Sequence, residues 1–217
     1  MSANLMSLAR SGGKFLKLFG DRKMMKPLPY DAEIEFLEST GTQWIDTGIK
    51  TLSSSTVEVE AAATVFKSND IMFGSVGADA SSLIRALIYN DGAKGNIISL
   101  QSGRYGVTNA FIAYDTAFHN YLITPTKAEV DGKYFLATRS DNSLRNFLLF
   151  SFVTASGVKY GSHARISRCK IYHSDVLVLD LIPVRKGNIG YMYDRVSGQL
   201  LGNAGTGDFV IGPDKTI

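Results

Sequence analysis

The 217-residue chain has a single cysteine, only five prolines and no long apolar run. With Cys169 as its one thiol, the chain forms neither an internal disulfide nor a zinc site made of cysteines. The residues around Cys169 alternate in polarity, which predicts that its side chain faces a core. No segment reaches the roughly 20 apolar residues that span a bilayer. Arg10 and the pair Gly12 and Gly13 interrupt the apolar start, so no secretory signal is expected.

Residue patterns that carry catalysis or bind cofactors are also missing. His119, His163 and His173 lie at no spacing diagnostic of a metal site. His119 is predicted to be a half-buried sheet residue, and the other two are predicted to lie in turns or at the surface. Gly202–Phe209 holds clustered glycines without the lysine and helix of a phosphate loop. We therefore expect no enzyme and no bound cofactor.

Two acidic pairs are the nearest approach to a catalytic motif. Glu33 with Glu35, and Glu58 with Glu60, each project onto one strand face, and a glycosidase needs two carboxylates on one face. Such i, i+2 pairs are also typical of the solvated face of an amphipathic strand. We favour the solvated face and keep a glycosidase as an alternative.

The charge of the chain is small and uneven. The formal net charge is +3, yet residues 1–30 contain six Lys or Arg and one Asp, which leaves −2 for the rest. A folded nucleic-acid-binding domain is expected to carry a basic stripe on its body. The sequence therefore predicts no nucleic-acid partner for the part that follows residue 30.

Residues 1–30 are predicted to form a basic N-terminal docking arm that is extended or briefly helical. Apolar residues at helical spacing alternate there with lysines, and Pro27 and Pro29 close the segment. A helix this short is unstable alone in water, so a disordered tail and a membrane-surface segment are the alternatives. The candidate docking residues are Lys14, Phe15, Leu16, Lys17, Leu18 and Phe19.

From Asp31 onward the pattern changes to a period of two. About a dozen short apolar segments recur at spacings of roughly 8 to 15 residues, separated by Gly, Asn and Asp turns. No later window keeps a helical period. This pattern predicts an all-β fold, an antiparallel β-sandwich of residues 31–217. The clearest strand candidates are Thr56–Glu60, Ile71–Ser75, Leu83–Tyr89, His119–Thr124, Lys127–Val130, Phe147–Val153, Arg165–Tyr172 and Val176–Ile182.

Three local features follow from turn and packing chemistry. Pro183 is predicted to end the strand before it, because proline cannot donate to a sheet ladder. Asp194 to Gly198 predicts a tight hairpin. Trp44, between two glycines in a short strand, is predicted to plug the core, with stacking against a sugar as the alternative.

Two passages resemble a known family. They read FLESTGTQWIDTG at Phe36–Gly48 and ARISRCKIYHSDVLVLDLIPVRKGNIGYMYDRVSGQLLGNAGTGDF at Ala164–Phe209. They resemble the laminin-G-like or concanavalin A-like jelly-roll modules of bacteriophage virion proteins and of gut-bacterial surface proteins. The resemblance implies a jelly-roll sandwich.

The resemblance, together with the arm, predicts a non-enzymatic virion structural protein of a bacteriophage. It would be a decoration or fibre component attached to a capsid or tail, joined to other virion proteins through its arm and forming a homo-oligomer. The alternative is a carbohydrate-binding lectin or adhesin module of a bacterial surface protein.

A host glycan is a further expected partner. The candidate stacking platforms are Tyr89, Tyr105, Tyr114 and Tyr160. Calcium is an alternative ligand, because modules of this kind bind it through loop oxygens, although turn chemistry explains the same residues. The candidate calcium ligands are Asn69, Asp70, Asn90, Asp91, Asp141 and Asn142.

Overall fold

A computed structural model describes residues 27–77, 83–103, 109–154 and 159–216. The predicted docking residues 14–19 and Tyr105 lie outside this part. The described residues form nineteen β-strands and no helix, and every strand pair is antiparallel. No described helix therefore meets the length and hydropathy that crossing a membrane requires. The predicted antiparallel β-sandwich is confirmed.

The larger sheet has eleven strands. Eight of them lie side by side in the order β11-β10-β9-β4-β15-β16-β17-β18, with β2 on β15, β19 on β2 and β1 on β16. The strands are β1 (Ala32–Glu33), β2 (Leu37–Thr40), β4 (Ser55–Ala63), β9 (His119–Ile123), β10 (Lys127–Val130), β11 (Lys133–Leu136), β15 (His163–His173), β16 (Val176–Lys186), β17 (Ile189–Asp194), β18 (Gln199–Leu201) and β19 (Val210–Ile211).

The smaller sheet has six strands in the order β3-β12-β5-β6-β7-β8, and a separate two-stranded ribbon joins β13 to β14. The strands are β3 (Ile45–Lys50), β5 (Asp70–Ser75), β6 (Leu83–Asn90), β7 (Asn96–Gly103), β8 (Asn109–Ala113), β12 (Asn146–Leu149), β13 (Ser151–Val153) and β14 (Lys159–Gly161).

The main core lies between the two sheets. Alternate residues of each strand face it, such as Val57 and Val59 from β4 and Ile98 and Leu100 from β7. Burial of such alternating side chains is the main force that holds two sheets together. Cys169 is fully buried in this core, as its sequence neighbours predicted.

A second apolar cluster lies on the opposite face of the smaller sheet. It contains Ile71, Val76, Leu83, Leu87 and Phe152. Phe152 belongs to β13, so the β13–β14 ribbon covers part of this face. The strands β5 and β6 are therefore apolar on both faces, which is why their sequences read as continuous apolar runs.

The structure corrects the expectation for Pro183. Strand β16 continues through it to Lys186, and Pro183 pairs with Met192 on β17. On the other side of β16, the last residue paired with β15 is Leu181, and pairing with β1 begins at Val184. Proline thus occupies the position where the ladder changes partner, so the missing N–H costs little.

Two further expectations change. The apolar run at residues 147–153 is not one strand, because Phe150, with φ 62°, separates β12 from β13. His163 and His173 are the two ends of β15 rather than turn residues, and both are partly buried. The predicted hairpin at Asp194 to Gly198 is confirmed: it joins β17 to β18, and the Gly198 N–H donates to the Asp194 carbonyl at 2.7 Å.

Candidate functional site

The outward face of the larger sheet carries two adjoining depressions of about 210 and 490 Å³ that share Arg168. We call them together the Arg168 groove. Strand alternation creates this surface: Val57 and Val59 of β4 point into the core, so Glu58 and Glu60 point outward. The residues that line the groove and are used below are Glu58, Glu60, Phe118, Asn120, Glu129, Asp131, Ser167 and Arg168.

Arg168 lies opposite Glu60 in the register of β15 and β4, but the two side chains form no ion pair. The register shifts between Ile166 and Arg168, which is a β-bulge that inserts Ser167. The Ser167 hydroxyl donates to the Glu60 carboxylate at 2.5 Å. The bulge therefore gives the Glu60 carboxylate a hydroxyl donor from Ser167.

Arg168 is consequently a cation without a partner in the described part of the chain. Its Nε is buried and has no hydrogen-bond partner, and its guanidinium forms no ion pair there. An unsatisfied buried donor costs roughly 1–3 kcal/mol. Such groups are rare in folded proteins, and a water, an ion or a ligand can complete their bonding.

His119 fixes one wall of the groove. Its Nδ1 lies 2.6 Å from Asp131 Oδ2 and its Nε2 lies 2.8 Å from Asp115 Oδ1. The other oxygen of Asp131 accepts the Asn120 N–H at 2.9 Å. The imidazole thus joins the loop before β9 to the turn between β10 and β11, and it holds the Asp131 carboxylate in place.

The protonation of this cluster follows from its contacts. Burial alone would lower the pKa of His119, but the hydrogen bonds to Asp131 and Asp115 outweigh it and raise the pKa above its ordinary value. Burial opposes ionisation of Asp131, yet the Asn120 N–H and His119 lower the pKa of this carboxyl. For Asp115, the hydrogen bond from His119 is the main cause of a lowered pKa.

One aromatic ring stands at the rim of the groove. Phe118 is 39% exposed, and its ring centroid lies 6.2 Å from that of Phe36. The Arg165 guanidinium lies 4.6 Å from the Phe36 centroid and its Nε donates to Glu38 at 2.6 Å. Phe118 therefore contacts Phe36, which itself packs against Arg165, and leaves part of its ring exposed to solvent.

The groove offers fixed acceptors and donors to a polar ligand. Carboxylates, the Asn120 amide and the Arg168 guanidinium line a long shallow surface rather than a deep enclosed cavity. Sugar hydroxyls both donate and accept hydrogen bonds, so such a mixture suits them. An exposed aromatic ring adds a flat apolar surface for the C–H face of a sugar.

Two of the predicted tyrosine platforms, Tyr89 and Tyr114, are not brought together. Tyr89, whose hydroxyl donates to Asp91 at 3.2 Å, packs against the second apolar cluster. Tyr114 packs against the main core, in edge contact with Phe66 at 5.3 Å. Tyr160 pairs with Phe152 through the backbone of β14. Tyr89 and Tyr114 thus serve packing on different faces of the smaller sheet.

Three of the candidate calcium ligands have partners within the chain. Asp70 is a buried residue of β5 and its carboxylate lies 2.7 Å from His163 Nδ1. Asp91 pairs with Lys94 at 3.1 Å, and the Asn142 amide oxygen accepts the Ser53 N–H. Among the described residues, no group of three or more His, Cys, Asp or Glu side chains could hold a metal ion.

A separate depression of about 390 Å³ lies on the outward face of the smaller sheet, where β3 pairs with β12. We call it the Trp44 pocket. Trp44 packs against the main core on one side but is only partly buried. Its position therefore fits neither a fully buried core residue nor a fully exposed sugar-stacking residue. The pocket is lined by Trp44, Asp46, Lys50, Leu144, Arg145, Asn146, Leu148 and Val153.

Sequence reasoning placed Glu58 and Glu60 on an outward face but missed Arg168, Asn120, Glu129 and Asp131. These residues come from three strands and one turn, and only the strand register makes them neighbours. The alternation of Arg168 with buried Cys169 marked it as outward-facing. The bulge that frees it from Glu60 left no comparable signal.

Comparison with known proteins points to the fold. Neither protein-family models nor curated proteins give a match to this chain. Among solved structures, a candidate carbohydrate binding protein from Bacteroides ovatus is similar, with a TM-score of 0.52 and 13% sequence identity. The alignment covers 85% of this chain and 61% of that one. The two proteins therefore share a β-sandwich fold, and this chain spans less than two thirds of its neighbour's length.

Proposed function

We propose that the protein is a carbohydrate-binding module that holds a glycan along the Arg168 groove. The observation that carries this proposal is the unpartnered Arg168 guanidinium beside fixed carboxylates on an open sheet face. The likeness to a candidate carbohydrate binding protein supports the same function. In this role Arg168 donates to sugar oxygens, while Glu58 and Glu129 accept sugar hydroxyls.

The proposal is binding without bond cleavage. The groove is open along its length, whereas a hydrolase surrounds the scissile bond with an acid and a second carboxylate set for water or nucleophile. Reducing-end release from a bound polysaccharide that disappears in Glu129→Gln would overturn this part of the proposal.

A glycan array followed by calorimetry tests the binding function. The purified chain is screened on bacterial and host polysaccharides, and the best ligand is titrated into Arg168→Ala, Arg168→Lys and the control Lys186→Ala, an exposed lysine on β16. We expect Arg168→Ala to weaken binding at least tenfold, because a hydrogen bond to a charged donor contributes about 1.5–3 kcal/mol. Arg168→Lys should recover part of the affinity, and Lys186→Ala should change nothing.

Two results would refute the proposal. One is an array on which no polysaccharide binds. The other is a ligand whose affinity is the same for Arg168→Ala and for the unmodified chain. Circular dichroism of each variant guards against loss of folding, since Arg168 is partly exposed and its replacement should leave the sheet intact.

The role in a bacteriophage virion remains a prediction from sequence. It depends on the docking arm, whose residues 14–19 lie outside the described part, and on the family resemblance. Attachment to other virion proteins, homo-oligomer formation and location in the virion are untested for the same reason. Mass spectrometry of purified particles would test whether the chain is a virion component. A glycan-binding sandwich is compatible with a virion and with a bacterial surface.

A further inference from the structure

The open face of the larger sheet continues beyond the Arg168 groove to an exposed tyrosine. In the strand register, Glu58 of β4 is opposite Leu122 of β9. Leu122 is in turn opposite Glu129 of β10, which is opposite Tyr134 of β11. Directly opposite residues of antiparallel strands project from the same face of a sheet. We call these four residues the Tyr134 row, and it leads from the groove to the edge of the sheet.

Tyr134 lies on the face that would meet a ligand. Its partner across the register, Glu129, lines the groove, whereas Ala128 and Val130, the neighbours of Glu129 on β10, point into the core. Tyr134 is 60% exposed. The row therefore ends in an aromatic ring that is open to solvent, a ring that the tyrosine candidates from the sequence did not include.

Lys127 restrains the outer end of the row. Its ammonium donates to Glu129 Oε2 at 2.6 Å and lies 5.8 Å from the centroid of the Tyr134 ring. One lysine therefore contacts both a carboxylate and an aromatic ring that are adjacent across β10 and β11. Side chains that are already restrained lose less entropy when a ligand binds to them.

The groove and the row together form a long surface that is open at the sheet edge. Tyr134 is on β11, four strand spacings from β15, which carries Arg168. Adjacent strands are about 4.8 Å apart, so these two strands are separated by about 19 Å. This distance exceeds the length of a disaccharide. Among the described strands, β11 pairs only with β10, so none of them closes the end of the row and a longer chain can continue past it.

The charge of this face favours an uncharged ligand. Six carboxylates and three cationic side chains line the two depressions of the groove. A sugar that carries a carboxylate or a sulfate would meet net repulsion there. Leu122 is partly exposed between Glu58 and Glu129 and adds an apolar surface. A flat chain of neutral sugars has hydroxyls at its edges and C–H groups on its faces, so it can contact the carboxylates, Leu122 and the Tyr134 ring at once.

We infer that the Arg168 groove and the Tyr134 row together bind a linear, uncharged polysaccharide with flat, extended chains, such as the β-linked glucan of cellulose or a xylan. Tyr134 stacks on a sugar residue remote from Arg168. This inference rests on the proposed glycan-binding function and names the class of its ligand. The two can fail separately, because Tyr134 contacts only oligosaccharides long enough to span the row, whereas Arg168 contacts short and long ones.

Calorimetry with oligosaccharides of defined length tests the ligand class. Cellobiose, cellohexaose, xylobiose and xylohexaose are titrated into the purified chain, with hexagalacturonate as the acidic counterpart of equal length. We expect at least one neutral hexasaccharide to bind about tenfold more tightly than its disaccharide, because only the longer chain gains the contact with Tyr134 in addition to more of the groove. Hexagalacturonate should bind more weakly than that neutral hexasaccharide.

Variants of Tyr134 test the end of the row. Tyr134→Ala should weaken binding of the neutral hexasaccharide about threefold to tenfold, which is the range expected for an aromatic contact, and should leave the weaker disaccharide binding unchanged. Tyr134→Phe keeps the ring and should bind as the unmodified chain does. The control is Phe111→Ala, which removes a ring that is 37% exposed on β8 of the smaller sheet and should change neither affinity.

Three results would overturn the inference. They are the absence of binding by both neutral hexasaccharides, binding of hexagalacturonate as tight as that of the neutral chains, and an unchanged hexasaccharide affinity in Tyr134→Ala. If another glycan binds on the array and loses affinity in Arg168→Ala while both neutral hexasaccharides fail, the proposed function stands and only this ligand class is refuted.

Discussion

The two sheets treat their outward faces in opposite ways. On the larger sheet, outward positions such as Glu58, Glu129 and Arg168 are polar and open to solvent. On the smaller sheet, outward Leu87 packs with Phe152 of the β13–β14 ribbon in a second apolar cluster. The smaller sheet is thus the middle layer of three, and the larger sheet is the layer left free for a polar ligand.

The Arg168 groove and the Trp44 pocket nevertheless share one device. Each is next to a register shift, at Ser167 in β15 and at Phe147 in β12. A bulge rotates the side chains around it out of simple alternation. In β15 it leaves Arg168 unpaired, and in β12 it brings Asn146 to Asp46.

The largest expected effect comes from removing the cover of the smaller sheet. Phe152→Ala should lower the free energy of unfolding by about 3–5 kcal/mol, because it deletes a buried ring and leaves a cavity. The matched change Phe118→Ala, at a rim position 39% exposed, should cost less than about 1 kcal/mol. Urea denaturation of both variants measures the difference, and equal costs would contradict the three-layer description.

Gly74→Ala should be the next most harmful change. An added Cβ would meet the Ile84 carbonyl and would lie 2.9 Å from Phe152 Cδ2, so the ribbon and the sheet would have to separate. We expect a cost of about 1–3 kcal/mol by urea denaturation. The control is Gly202→Ala, whose Cβ would lie 3.4 Å from the Tyr191 ring, and a Gly74 variant as stable as this control would refute the close approach.

His119→Gln tests the larger sheet and should cost about 1–2 kcal/mol near pH 6, since two charge-assisted hydrogen bonds are lost. The folded-state pKa of His119 is raised. Its contribution is therefore full below the unfolded value of about 6.5 and is lost as pH rises through the higher folded value. Chemical denaturation between pH 5.5 and 9 should show a decline in the unmodified chain that is flatter in the variant.

The stabilisation from the carboxylates of the same cluster depends on pH in the opposite direction. The folded-state pKa values of Asp115 and Asp131 are lowered, so their contribution is present above the ordinary carboxyl range and is lost on acidification. Tyr121, whose ring lies 6.4 Å from His119, stays neutral across this range because burial raises its pKa. Identical pH profiles for the unmodified chain and His119→Gln would show that the imidazole is not the titrating group.

The smallest effect is expected on the open face itself. Leu122 is a partly exposed residue between Glu58 and Glu129 in the register of the larger sheet. Leu122→Thr should change the free energy of unfolding by no more than about 0.5–1 kcal/mol. A loss as large as that of Phe152→Ala would mean that this face is also covered.

Much of the fold could be predicted from local pattern. Alternation at Thr56–Glu60 and the strand candidate Lys127–Val130 correspond to β4 and β10. Pro183 was misread because its tolerance depends on which strand lies beside it. Whether the tyrosine platforms are exposed could not be predicted either, because the sequence of a strand does not say which of its two faces is covered.

The sequence alone determined that the chain after Pro29 is an antiparallel β-sandwich, because a period of two creates an apolar strand face that a second sheet buries. The tertiary structure decided where ligands can bind. Arg168 and its neighbours come from strands far apart in sequence, and Ser167 takes the Glu60 carboxylate from Arg168. Register and bulges are set by contacts between distant strands, so no local stretch of residues encodes them.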